Sequence, residues 1–567
     1  DYKLFADSMD QGNPQYSMYS DTIYYYLTWN NLTNNKRMGL ETDVSFNAYP
    51  LSNYFWNEVD VVQNSTYSAG ELTVFGWATP EFSAGMGWAS SPFSHGSYNE
   101  VSVETPNAYL AGPNSTIYSR VVGQKTNSHK INLKISGQIL KEQTFYNYGV
   151  AHFESDFSSR LLGAKTEIIH NSLLGSGNEK EKLAVSYLKL RYPSTYSLSD
   201  ESEFSMVIPS TSSAKDYIRI TNFDNANKSA WLYDLTNHKK IAIQASGGVF
   251  EALVPNGGQE RKCFLTSDAR TNQVSSSVIK PVSGTSSFFK DYKTIAASKG
   301  GVDYLIVSAS SLMDAAEEYS TYRSTTGYVA MAVDAEQLYD QYSYGIRKHP
   351  MAIRNFALAA GLSWGTTVKS LLLLGKSVSF NGARSGVSVD VNLLPTWGSL
   401  GADVGFTNGV GGSTVLEPLI PTGRVSVNSN YQARKYLAKI QDYEAAPAAP
   451  WMKNVLHFGG GSSIGEQTTF KNYLKGYEDI IESPMFGGKV HTFLKSSSDP
   501  LQINLSDSVT NLINSGVTLM CFFGHAYGSN FDQSIDEPEN YSNAGKYGFI
   551  LANSCLIGNI HTGSITS

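Results

Sequence analysis

The chain has 567 residues, 41% of them hydrophobic and 16% charged. At ~150 residues per domain that predicts three or four domains, and the apolar fraction excludes a wholly disordered chain. Lys and Arg total 43 against 50 Asp and Glu, a formal charge of −7, which excludes a general basic footprint for nucleic acid and leaves only a local groove open. Three cysteines, Cys263, Cys521 and Cys555, exclude a disulfide scaffold and leave at least one thiol without a partner in the chain. No run reaches the ~18 continuous apolar residues of a spanning helix. The chain opens on Asp1 without an apolar leader, so a signal peptide is expected to be absent or already removed.

Residues 1 to about 295 read as sheet. Thr22 to Trp29 (TIYYYLTW), Lys130 to Ile139 (KINLKISGQI) and Leu183 to Leu190 are strand candidates, rich in aromatic or β-branched residues and bounded by Asn, Gly, Pro and Ser clusters. Two β-rich, sandwich-like domains are predicted, at 1–128 and 129–298. The pattern changes near residue 300. Val302 to Val307 is a compact apolar strand. Leu312, Ala315, Ala316, Tyr319 and Tyr322 then recur at helical spacing, with Gly327 as the stop. Tyr328 to Val333 is the next strand. Met351 to Ala360 is a helix facing Ile353, Phe356, Ala357 and Ala360 inward. Leu371 to Leu374 is a strand and Tyr431 to Tyr443 a helix. Val455 to Phe458, Val517 to Phe523 and Gly548 to Ala552 complete the strands. Short apolar strands alternating with helices predict a mostly parallel sheet covered on both faces over 299–567. The Gly-rich segment 377–430 reads as loops over the sheet edge.

In such sheets reactive groups collect past the carboxyl ends of the strands. One strand ends in Gly524-His525-Ala526 and another in Asn553-Ser554-Cys555. On neighbouring parallel strands their tips lie roughly 5 Å apart, which puts an imidazole beside a thiol. That pair is a competent nucleophile: the ring takes the thiol proton and later protonates the leaving amine. Gly524 would let backbone approach a scissile peptide, and the N–H groups near Ala526 and Cys555 would face the oxyanion. The plain alternative is that Cys555 is a small buried hydrophobe. A zinc site of Cys521, His525, Cys555 and His561 competes. However, Cys521 and His525, four residues apart on one strand, are ~13 Å apart. Cys521 and Cys263 read as core thiols, and His561 is unassigned. Glu417 is the leading carboxylate to orient the imidazole and Asp403 a weaker one. Asp532, Asp536, Glu537 and Glu539 read as a surface loop, with substrate access or structural calcium binding as the functional alternatives. The chemistry itself needs no cofactor.

The segments VDYLIVSASSLMDAAEEYSTYRSTTGY (302–328), YSYGIRKHPMAIRNF (342–356), LLLLGK (371–376), IPTGR (420–424), CFFGHAYGS (521–529) and YGFILANSC (547–555) resemble the gingipain-like cysteine peptidases. DTIYYYLTWNN (21–31), AVSYLKLRYPSTY (184–196) and WLYDLTNHKK (231–240) make the closer resemblance that to the sortases of the type IX secretion system. The resemblance implies a caspase-like αβα domain with Cys555 as nucleophile and His525 as base. The family's common Gly-His-Gly reads Gly524-His525-Ala526 here. In the gingipains the carboxylate that orients the histidine precedes the strand ending in Gly-Arg, a position from which Glu417 is slightly offset. Cys555 lies close to Ser567, so the peptidase domain is expected to continue beyond it. The resemblance further implies a protein on the extracellular face of the outer membrane. It would remove C-terminal signal domains from cargo and attach cargo to anionic lipopolysaccharide. Its partners would be an outer-membrane β-barrel shuttle and other attachment-complex subunits. A scaffold subunit of that complex, without turnover, is the rival reading.

Overall fold

In a computed structural model the chain divides into two units, Asp1–Phe289 and Lys290–Ser567. The structure describes residues 2–563 except 23, 29–30, 33–35, 74–75, 77, 80, 174–180, 271, 273–274, 276–277, 283–287, 366, 380–390, 399, 410–416, 499–501, 504–506, 528–529, 535–537, 556 and 559.

Among its described residues the N-terminal unit holds strands and short 3-10 turns, joined by loops, and no α-helix. A nine-stranded sheet runs in the order Gly39–Glu41, Lys239–Ala242, Ala230–Asp234, Arg261–Ser267, Phe204–Ile208, Phe55–Val62, Leu183–Ser194, Ser115–Gly123, Val150–Phe157. Strands from both sides of residue 128 share it. Two four-stranded sheets cover separate stretches of it. Ile131, Leu133 and Ile168 of one pack with Ile117, Val121, Leu188 and Leu190 of the long sheet. Ile218, Ile220 and Phe250 of the other pack with Met206, Leu232, Cys263 and Leu265. The result is two sandwich-like cores joined by one sheet. Leu183–Ser194 is buried along most of its length, as an apolar strand paired on both sides requires.

Two local expectations are corrected. The stretch 130–139 is two strands, Ser128–Ile135 and Gln138–Tyr146. They are joined by a two-residue turn with Ser136 and Gly137 both at positive φ, +47° and +84°. Positive φ at both central residues matches the natural twist of a hairpin. The aromatic run at 22–29 carries no strand at its described residues, and Tyr25 is 91% exposed. High β-propensity does not make a strand without a neighbour to pair with.

Elements of the C-terminal unit are numbered from its start. They are α1 (Tyr292–Ser298), β1 (Tyr304–Ser308), α2 (Met313–Thr325), β2 (Ala330–Asp334), α3 (Ala335–Tyr342), α4 (Pro350–Ser363), β3 (Ser370–Leu374), β4 (Thr422–Val425), α5 (Asn430–Ala445), β5 (Asn454–Gly459), α6 (Ile464–Ile481), β6 (Lys489–Leu494), α7 (Asp507–Ser515), β7 (Leu519–Phe523) and β8 (Phe549–Asn553). These strands form two four-stranded parallel sheets, β2-β1-β3-β4 and β6-β5-β7-β8, and two short two-stranded pairs lie beside them, Gln502–Ile503 with Gln533–Ser534 and Ala526–Tyr527 with Asn530–Phe531. The β-rich front and mostly parallel α/β back agree with the predicted fold class. The expected inner face of α4 is buried as Ile353, Phe356, Ala357 and Ala360. Gly327, at φ +93°, lies just past the end of α2, where only a residue free of a Cβ turns so easily. Helix α6 was not legible from apolar spacing, because Leu474 is its one buried residue among those described. No described helix is long and apolar enough to cross a membrane.

Candidate active site

Strands β7 and β8 are adjacent and parallel, with Phe523 opposite Asn553. His525 and Cys555 therefore each stand two residues past the same rung, at the carboxyl edge of the second sheet. Main-chain and side-chain bonds tie the tips together. Gly524 N–H donates to the Asn553 carbonyl at 3.3 Å, and Ser554 Oγ donates to the Gly524 carbonyl at 2.9 Å. Cys555 is exposed, which removes the buried-hydrophobe alternative for it. Cys521, two residues earlier on β7 than Phe523, is buried, and burial pushes its thiol up to about 11. Burial likewise raises the thiol pKa of Cys263 in the N-terminal unit. A raised pKa keeps a thiol protonated and unreactive.

The carboxylate against the imidazole is Glu466, whose Oε2 lies 3.3 Å from His525 Nε2. It sits in the first turn of α6, immediately past the carboxyl end of β5. Ser463 caps this helix by accepting from the Glu466 N–H, and the Glu466 carboxylate accepts from the Ser462 N–H at 2.8 Å. The Ser462 N–H, and next the His525 ring, hold the Glu466 carboxyl below its usual range. Phe470, one turn further along α6, meets the His525 ring edge to face at 5.8 Å between centroids. The sequence signal for Glu466 was present as Ser463-x-x-Glu466, the spacing of a capping box.

The other expected carboxylates have different surroundings. Glu417 is exposed and precedes Pro418, which bridges to Asn408. Asp403 accepts two bonds from Arg424, Nε to Oδ2 at 2.7 Å and Nη2 to Oδ1 at 2.8 Å. Burial raises its pKa, but the Arg424 guanidinium outweighs this and holds the carboxyl below its usual range. His561 is buried; its Nδ1 bonds Ser377 Oγ, and its carbonyl accepts from the Ser379 N–H. It thereby belongs to the segment following β3.

The acidic run is not uniformly a surface loop. Asp532 is buried, while Glu539 is exposed; Asp536 and Glu537 lie outside the described residues. Asp532 follows the hairpin Ala526–Tyr527 with Asn530–Phe531, and its N–H donates to the His525 carbonyl at 2.8 Å. Its carboxylate accepts from the Gly461 N–H at 2.7 Å. This explains Gly524 differently from the sequence reading. A Cβ there would lie 2.5 Å from Asp532 Oδ1 and 2.9 Å from Gly460 Cα, so the missing side chain makes room for the protein's own interior. Among the described residues no three His, Cys, Asp or Glu side chains converge as metal ligands would.

Residues 297–567 match the family model of peptidase family C25, a family-level link for the unit that carries His525 and Cys555. No curated protein matches the chain. Among solved structures the chain is similar to dimeric latent PorU from Porphyromonas gingivalis, at 14% identity and TM-score 0.45, over 75% of this chain and 43% of that one. It is also similar to the Arg-specific cysteine proteinase gingipain R, at 15% identity and TM-score 0.34, over 45% of this chain and 55% of that one. A third is the complex of Porphyromonas gingivalis RgpB pro- and mature domains, at 13% identity and TM-score 0.32, over 44% and 55% of the two chains. The chain thus spans about half, or less, of the length of these proteins.

Proposed function

We propose that this chain is a cell-surface thiol peptidase of type IX secretion, acting as a sortase. One observation carries the reading. Within the segment that matches peptidase family C25, adjacent parallel strands present His525 and an exposed Cys555 past the same rung. His525 takes the Cys555 proton, and the thiolate attacks the carbonyl carbon that joins cargo to its C-terminal signal domain. The C–N bond breaks, His525 protonates the departing amine, and the cargo is left as a thioester on Cys555. Water releases it as a carboxylate, or an amine on anionic lipopolysaccharide captures it as an amide. Glu466 orients the imidazole and stabilises its charged form, the role the sequence reading offered to Glu417. No metal or cofactor takes part in these steps. The protein works at the extracellular face of the outer membrane, with the β-barrel shuttle and attachment-complex subunits as partners.

The test is intact-mass analysis of a cargo protein carrying its C-terminal signal domain, incubated with wild type and with Cys555→Ala. Loss of cleavage in the variant supports the nucleophile. Equal cleavage removes it, and absence of cleavage by either protein favours the scaffold.

A further inference from the structure

Asp532 is a buried carboxylate at the meeting point of three strand ends. Its Oδ2 accepts from Gly461, just past β5. It lies 3.8 Å from the Nζ of Lys495, just past β6, and both side chains are almost wholly buried. Lys495 Nζ makes no hydrogen bond among the described residues, so this carboxylate is the counter-charge it faces. The Lys495 N–H donates to the Gly459 carbonyl at 2.8 Å, and Gly460 N–H donates to the Phe523 carbonyl at 2.8 Å. Gly460 and Gly524 lack side chains where Asp532 fits. A Cβ would meet its Oδ1 at 2.0 Å and 2.5 Å respectively. The Asp532 N–H then holds the His525 carbonyl. Removing a charge from a buried pair strands its partner, so the pin resists being loosened.

We propose that Asp532 is a positioning residue for His525. It locks the turn that carries the imidazole onto the ends of β5 and β6, which fixes His525 past the rung it shares with Cys555. This rests on the thiol–imidazole reading above. It predicts that the site loses alignment when the pin is removed, although Asp532 touches neither substrate nor the reacting atoms.

The test uses the 567-residue chain and iodoacetamide as the probe. Cys555 alkylation is followed at about pH 6, where an ordinary thiol is almost wholly protonated. Hydrogen exchange of the peptide spanning 521–534 is measured in parallel. Asp532→Ala is expected to quicken exchange there and slow Cys555 alkylation at least ~10-fold, toward the His525→Ala rate. Asp532→Asn combined with Lys495→Met keeps the volume and an acceptor for Gly461 while removing both charges. It is expected to restore the rate to within about threefold of wild type. If Asp532→Ala does not fold, Asp532→Asn alone is the deciding variant: slowing that Lys495→Met relieves supports the pin. A wild-type alkylation rate in a folded Asp532 variant, with His525→Ala slowed, overturns the positioning role and leaves the peptidase reading standing. An unchanged rate in His525→Ala overturns both.

Discussion

Glu466 and His525 meet at 3.3 Å although 59 residues separate them in the chain. The contact exists because β5 and β7 are neighbours in the sheet, and each is followed at its carboxyl end by one of the two residues. It converts a strand-end histidine into one with a fixed carboxylate partner. Glu466→Gln keeps a polar group of the same size and removes the charge. It is expected to slow Cys555 alkylation at mildly acidic pH by less than His525→Ala does. The sign on stability follows from the depressed Glu466 pKa. Its contribution is present above the unfolded value of about 4.3 and lost as pH falls through the lower folded value. Thermal melts across that range are expected to show a shallower acid slope for the Gln variant.

The three thiols separate by environment. Cys555 is exposed, while Cys521 and Cys263 are buried with raised pKa values. Peptide mapping after iodoacetamide treatment of the folded protein across roughly pH 5 to 9 is expected to show Cys555 labelled first at every pH. His525→Ala is expected to slow its labelling at mildly acidic pH toward that of an ordinary thiol.

Gly524→Ala and Gly460→Ala are expected to destabilise the C-terminal unit by about 1–3 kcal/mol, since each new Cβ overlaps Asp532 in a filled interior. Gly423→Ala is the control, because nothing lies within 4 Å of its Cβ position. Equal melting temperatures for all three would show that the loops around Asp532 yield easily.

His561 gives a pH dependence of known sign. Burial, with Arg424 and Lys376 nearby and Asp403 opposing them, pushes its pKa from 6.5 down to about 4. The folded protein keeps the ring neutral. Its contribution is therefore whole above pH 6.5 and falls away as pH drops from there through about 4. Hydrogen exchange around residues 377–379 and 560–561 is expected to quicken over that window, and His561→Gln is expected to flatten the change.

Phe356 tests the first parallel sheet's core. It is fully buried and meets Tyr292, Tyr342 and Trp364 edge to face. Phe356→Ala is expected to cost about 3–5 kcal/mol in denaturant unfolding.

The sequence by itself determined much of the parallel α/β half. The apolar run Leu371 to Leu374 reads as a short strand with covered faces, and it is one. The spacing of Ile353, Phe356, Ala357 and Ala360 fixes which side of α4 turns inward. It also put His525 and Cys555 at strand ends. These are local properties, set by the periods of helix and strand. What only the tertiary structure decided is which distant segments meet. The register of β7 against β8 brings the two tips past one rung, and the order β6-β5-β7-β8 delivers Glu466 to the imidazole. It also buries Asp532 from an acidic run that reads as surface. Among the described residues β8 is the last strand of its sheet, and Phe549 and Ile550 are exposed on it despite an apolar sequence. Sheet order and register arise from packing between remote parts of the chain, and the period of any one segment does not encode its neighbour.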